Sequence, residues 1–537
     1  MRFARLLVCL LFLPQSLFAL PQVRQAEDPY QRARELVRAG NLHEALQELQ
    51  KALQHTPRNP KVHNMLGVVL TELSRLKEAN EAYDRALSIA RDFRPARKNR
   101  AVNAFTQGDF KFAASEFEDL ARLEPKDFVP HLFLGLLAME GSDLTTARRH
   151  LLEARQLSPD NGRVLLALTR VHFALGERQL AIESAQAMRA NSPSTDAERF
   201  ELGVILAQFA ANAEAAEVFH ELWLKKPGAY DTGFNLALVY YRTGQLEPAL
   251  RIVKELGSGA KPSGELLNLQ GWIYNKMRRL DQARESLQQA TAAEPDNPDH
   301  YLDLSTVLNN QGETEAAIQV LSGAIQRGLE KTRLQVQMGL LYEKSGKYAE
   351  AEKCYRVALT SNKATPPAYL ALAHLLLGTD RRKEALDLLA HATRSFPSDP
   401  LLHYMYGAEL LESTQESNSE QWGKAESVLR KALELNPFYA NTLYMLGRLY
   451  VKRGDDDSAQ DYFERACAFN PRHADAYYQW LRIAVRRGEK SKAAELDKIV
   501  RKLHDEEKRQ DQETVTGLVE ESLRGPVKGT LVTKAAN

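Results

Sequence analysis

Residues 440–473 read ANTLYMLGRLYVKRGDDDSAQDYFERACAFNPRH. Leu446-Gly447 and Tyr450 stand in a run whose apolar residues recur three and four apart, the period of a helix with one buried face. Gly454 interrupts the run and Asp455-Asp456-Asp457 follow, acids that suit the positive start of a second helix. That helix carries Ala459, Phe463 and Ala466. Pro471 closes the stretch, since proline cannot continue a helix and disfavours helix in the residue before it. The stretch reads as helix, turn, helix, proline-containing turn.

The same unit fills almost the whole chain of 537 residues. Alanine stands at every thirty-fourth position from Ala45 to Ala385 and, after one step of 40, at Ala425, Ala459 and Ala493, fourteen slots in one register. Twelve residues before each alanine (eighteen before Ala425, across the insertion) lies a small residue, from Ala33 and Gly67 through Thr169 and Ser305 to Gly407 and Gly447, with Leu481 the large exception. A turn residue follows seven further on, as at Gly40, Gly108, Gly176, Gly244, Gly312, Gly346, Gly454 and Gly488. Four residues after the alanine an apolar residue recurs, including Tyr83, Phe117, Phe219 and Tyr355, and most units close on a proline such as Pro57, Pro125 or Pro437. Small residues on two antiparallel helices let the backbones approach, and a large side chain there costs about 1–3 kcal/mol through overpacking.

This pattern resembles the tetratricopeptide repeat family, whose unit is a helical hairpin of the same length. The resemblance runs from residue 26 to residue 503; it is strong in the units starting at Thr332 and Ala440 and degenerate in the unit starting at Gly162, where Thr169 and His172 replace glycine and tyrosine. It implies an all-α fold: an α-solenoid wound as a right-handed superhelix of fourteen units around a concave groove, in which stacking completes each unit's core. The single break inserts six polar residues near 413–418, where a hairpin turn falls, and reads as a lengthened surface loop. Residues 504–537 are charged and repeat-free, a polar tail after a capping last helix.

Residues 1–19 stand apart. A basic start, Met1 to Arg5, precedes the apolar run Leu6 to Leu13, then Pro14-Gln15-Ser16 and the small Ala19, the layout of a secretory signal peptide. The expectation is an exported protein, periplasmic or secreted; an uncleaved segment anchoring the chain to a membrane is the alternative. Formal net charge is +1, from 71 basic against 70 acidic groups, which argues against nucleic acid and bulk anionic membrane as partners. Of the three cysteines, Cys9 falls in the leader, while Cys354 and Cys467 lie three units apart, too far for a disulfide; two free, buried thiols are expected.

Catalytic signatures are near misses. His220-Glu221 and His43-Glu44 begin like a zinc-protease helix, but Leu224 and Gln47 stand where the second histidine belongs. Gly259 and Gly264 have phosphate-loop spacing, yet Glu265-Leu266 follow. Asp455-Asp456-Asp457 meet Ala459 at a calcium-ligand slot and read as a helix start. The thirteen histidines show no metal-ligand spacing along the chain. A catalytic domain would need about 100 residues outside the array. The expectation is a protein that is not an enzyme, with no cofactor and no metal.

An array of this kind binds. In the resembling family, ligands lie in the groove lined by the first helix of each hairpin. Carried over, its centre is apolar, with Phe200, Phe234 and Trp272 beside Leu132, Leu136, Val204 and Leu238, and its carboxyl end aromatic and basic, with Tyr404, Tyr444, Arg448, Lys452, Tyr478, Arg482 and Arg486. Tyrosine and arginine are the types enriched at binding hot spots. The rival reading of the tyrosines and the apolar centre is packing between helices. The clamp by which chaperone-binding members hold a terminal carboxylate is missing: Lys98 is followed by Val102 where asparagine belongs, and Leu132 and Phe133 come next. The first expectation is therefore a non-catalytic scaffold of a bacterial-type cell envelope or exterior that binds a protein or peptide through the groove. The second is an accessory factor for assembly or export of envelope polysaccharide. A repeat-bearing glycosyltransferase is the remote third, its catalytic domain absent.

Overall fold

The structure is a computed structural model; it describes residues 28–259, 261–360, 364–413 and 419–507, with only the backbone described at 419, 506 and 507. The signal-peptide reading of 1–19, most of the insertion and nearly all of the polar tail lie outside the described residues. Among the described residues every regular element is an α-helix. The chain divides at Thr243/Gly244 into two compact units. Among the described residues the first holds thirteen helices, from Pro29–Arg38 to Tyr230–Arg242, and the second fifteen, from Leu246–Gly257 to Lys490–Glu507.

Within each unit, nearly every helix packs on the one before and the one after it. First helices of successive hairpins also approach one another, as Pro60–Glu72 does Arg94–Gln107 and Pro400–Ser413 does Ala440–Arg453. Among the described residues no two second helices come together as closely. Each unit is thus an α-solenoid in which the first helices form the tighter layer.

The periodic residues explain the packing. Every alanine of the series from Ala45 to Ala459 is fully buried. The small slot and the large slot sixteen residues on turn out to be two sides of one contact. A Cβ built on Gly203 would lie 2.7 Å from the Phe219 ring, on Gly271 2.6 Å from Leu287, and on Gly447 2.5 Å from Phe463. Gly407 meets Leu429 the same way, at 2.7 Å, twenty-two residues along, so the six extra residues leave the register of both helices intact. The first helix ends at Ser413 and the second begins at Ser419.

The turn slot is equally literal. Gly40, Gly108, Gly176, Gly244, Gly312, Gly346, Gly454 and Gly488 all have positive φ. In the units without glycine, Ser74, Ser142, Ala210, Arg278 and Asp380 adopt the same left-handed conformation, with φ between 56° and 60°. The acids after Gly454 do start a helix: the Asp455 carboxylate accepts from the Ser458 amide at 3.0 Å and from its hydroxyl at 2.7 Å, and these bonds hold its carboxyl below the usual range. Cys354 and Cys467 are free and buried, and burial pushes their thiols up to about 11 and about 12.

The degenerate unit from Gly162 folds like its neighbours because its polar intruders find partners at home. Thr169 Oγ1 donates to the Leu165 carbonyl at 2.8 Å, and His172 Nδ1 pairs with Glu177 at 2.6 Å. Satisfied in this way, a buried polar group costs little against the apolar residue it replaces.

Candidate functional site

The seven tyrosine, arginine and lysine candidates sit on the first helices Pro400–Ser413, Ala440–Arg453 and Ala474–Arg486, all in the second unit. They occupy repeated positions: Tyr404, Tyr444 and Tyr478 three residues before the small slot, Arg448 and Arg482 one after it, and Lys452 and Arg486 five after it. The helices Pro400–Ser413 and Ala440–Arg453 approach one another, which brings their repeated positions side by side.

Tyr404 stands edge-on to Tyr439, ring centroids 5.1 Å apart at 90°. Its hydroxyl is pushed up chiefly by burial, with Tyr439 and Tyr444 nearby adding to the effect. Tyr444 lies 4.8 Å from the His473 ring and 6.0 Å from Phe463, and the Arg448 guanidinium stands 5.8 Å from its centroid, within cation–π range. Burial raises the Tyr444 hydroxyl and lowers the His473 imidazole. Arg448 reaches across to Glu412 of the preceding hairpin, and Lys452 Nζ donates to the Leu411 carbonyl at 3.1 Å. This half of the site is a ring cluster whose cations already hold partners.

The other half is open. Tyr478 is 48% exposed and Val485 61% exposed. Arg482 is exposed, its hydrogen bond a long one of 3.5 Å to Gln479 on the same helix. Arg486 forks onto Asp456 at 2.6 and 3.1 Å, an exposed pair worth about 0.2–1 kcal/mol that a better carboxylate could displace. Chemically, this end offers an aromatic face, an apolar shoulder and one weakly committed guanidinium, the set that suits a bidentate carboxylate beside a hydrophobic side chain.

The apolar centre is corrected by burial. Phe200 is 4% exposed and packs edge-on against Phe219 at 5.6 Å, Phe234 is fully buried and stacks on Tyr230 at 5.9 Å, and Trp272 is 3% exposed. Leu132, Val204 and Leu238 are buried too. Their apolar surface is already spent on helix packing, so none of them presents a surface to a ligand. Lys98, tested above as a clamp residue, is also buried and paired with Asp127 and Glu124.

Sequence reading missed two features. Tyr439, Glu412 and Asp456 complete the tyrosine–arginine end; Tyr439, beside the Pro437 turn, carried a visible signal as an aromatic next to a unit boundary. The second is a trio of metal-ligating side chains in the first unit, His131, His150 and Glu153, whose members come from two helices and so leave no spacing motif in the chain.

Stacked two-helix units, with a small-to-large contact in those that carry glycine at the small slot and left-handed turn residues between their helices, define a helical-hairpin repeat solenoid. Models described as tetratricopeptide repeat match residues 30–95 and 99–162, 264–297, and 288–518, and the chain belongs to the tetratricopeptide repeat family. Residues 163–263 fall outside those matches, although their described residues form helices of the same lengths. DnaJ homolog subfamily C member 3 of Rattus norvegicus is 28% identical over 230 residues, covering 40% of this chain and 46% of that protein. The antiviral innate immune response effector IFIT1 of Macaca fascicularis is 22% identical over 269 residues, covering 43% of this chain and 56% of that protein. The chain thus spans about half the length of these curated relatives. Among solved structures, yeast Tom70 aligns at 14% identity over 92% of this chain and 98% of its own, with a TM-score of 0.44. YrrB, a tetratricopeptide protein with an unusual peptide-binding site, aligns at 19% identity over 36% of this chain and 98% of its own, with a TM-score of 0.28.

Proposed function

We propose that this protein is a non-catalytic scaffold that binds a protein or peptide through the first-helix face of its carboxyl-terminal hairpins, with Tyr478, Arg482 and Arg486 as the contact set and the Tyr404–Tyr444–Arg448 cluster as its rigid base. The observation that carries the reading is the exposure of Tyr478 beside a guanidinium whose hydrogen bond among the described residues is a long one to Gln479. Buried first-helix residues elsewhere in the array are consistent with a binding surface confined to this end. The acidic or carboxyl-bearing partner implied by arginine chemistry would dock with its carboxylate on Arg482 and an apolar side chain against Tyr478 and Val485.

The place of action we propose is outside the cytoplasm, periplasmic or secreted, supported by the basic-then-apolar residues 1–19. No described helix is long and apolar enough to cross a membrane. A second reading, an accessory role in envelope polysaccharide assembly, draws on the same exposed Tyr478 ring as a platform for a sugar face.

Partner capture from envelope extracts tests the assignment. Arg482→Glu with Tyr478→Ala is expected to lower capture tenfold or more at unchanged helicity, whereas Arg448→Glu, which also loses the Glu412 pair, acts partly through the fold. Capture unchanged in the double variant would remove this surface from consideration, and binding on a glycan array in place of protein capture would favour the polysaccharide reading.

A further inference from the structure

We propose that His131, His150 and Glu153 form a binding site for a divalent transition-metal ion of the zinc type, joining the two helices of a single hairpin. His131 lies on the helix Phe128–Glu140, and His150 and Glu153 one turn apart on the antiparallel helix Leu144–Leu157. The donor atoms already converge. His131 Nδ1 is 2.8 Å from Glu153 Oε2, His150 Nδ1 is 3.4 Å from the same oxygen, and the two Nδ1 atoms are 3.4 Å apart. Two ligands on a tetrahedral ion with bonds of about 2.0–2.1 Å are ~3.3 Å apart. The triangle drawn here has a circumradius of about 1.9 Å, so an ion at bonding distance from all three atoms sits just off their plane, toward a fourth ligand.

Two imidazoles and a carboxylate are the donor set of open zinc sites, which keep one position for water. Partial burial suits that role: the side chains of His131 and His150 are 17% and 15% exposed and that of Glu153 38%, so the helices fix the donors while the outer position stays wet. Arg149 is the obstacle. Its Nη2 donates to His150 Nε2 at 3.1 Å and its Nη1 lies 3.6 Å from Glu153 Oε1. In the metal-free protein that contact makes Nε2 the acceptor and leaves the proton on Nδ1. Binding moves the proton to Nε2, frees Nδ1 for the ion and displaces Arg149, whose side chain is 60% exposed and can swing into solvent. The site needs nothing from the carboxyl-terminal contact set, so it stands or falls separately from the proposed scaffold role.

Zinc uptake by the full chain, measured by competition with a chromophoric chelator, reads the site directly, and cobalt gives a tetrahedral absorption band that other histidines do not mimic. One tight equivalent is expected. His150→Ala and Glu153→Gln should each weaken it at least tenfold and bleach the cobalt band, while Arg149→Gln should tighten it several-fold. Metal-free circular dichroism shows whether each variant is folded, and the near-isosteric Glu153→Gln decides the matter if His150→Ala is not. Equal uptake by wild type and Glu153→Gln, or no equivalent bound at micromolar free zinc, overturns the proposal.

Discussion

At Ala210 the backbone turns with φ of 56°, a conformation in which an L-residue crowds its own Cβ against the following carbonyl. Ser74, Ser142, Arg278 and Asp380 bear the same strain at the same slot, where other units place glycine. The strain is partly offset at Ala210, whose carbonyl accepts from Arg178 Nη2 of the preceding hairpin at 3.2 Å. Ala210→Gly keeps that carbonyl and removes the crowding, so it should stabilise the protein by about 0.5–1 kcal/mol after glycine's own entropic cost. Thermal melts of the two proteins check this, and a lower melting temperature in the variant would contradict it. The turn slot was visible in the sequence as recurring glycine; that its non-glycine members share the left-handed conformation was not, because side-chain identity only biases φ and the flanking helices dictate it.

Between hairpins, side chains of one element hold the next. Glu426 of the helix Ser419–Leu435 accepts from Tyr450 at 2.7 Å and Arg453 at 2.6 Å on the following helix Ala440–Arg453, and from Arg430 on its own helix at 2.8 Å. Burial alone would raise its carboxyl, but these hydrogen bonds outweigh burial and hold it at about 2. A carboxyl depressed in the fold stabilises fully above its unfolded value near 4.5, and that contribution is lost as pH falls from there toward about 2. Glu426→Gln should therefore melt ~2 °C below wild type at pH 7, with the gap closing as pH drops below 4. A gap independent of pH would mean that packing, not charge, joins these helices. Sequence gave the tyrosine of the repeat at 450 but not its partner, since Glu426 is paired with Tyr450 only once two hairpins stack. The groove centre failed for the same reason: a first-helix phenylalanine reads alike whether it faces a ligand or the next helix.

For the molecule as a whole, the repeat register makes a large protein from one small solution. Its thiols report on both the fold and the amino terminus. Cys354 and Cys467, buried and pushed up to about 11 and about 12, should not react with a disulfide reagent in the native protein. In denaturant, a chain that has lost residues 1–19 titrates two thiols, and one that retains them titrates three, counting Cys9. Two thiols from the exported fraction is the expected result, and three would support the uncleaved anchor.

The sequence alone determined the helical hairpin, its period, its register across the insertion and the identity of its packing slots. Those features are local and repeated, so each unit restates the same periodicity and the same need for small against large. Only the tertiary structure decided which first-helix residues face solvent, which cations are already paired, and that His131, His150 and Glu153 meet. Contacts between helices depend on how neighbouring faces rotate against each other, and one chain read in order carries no direct record of that rotation.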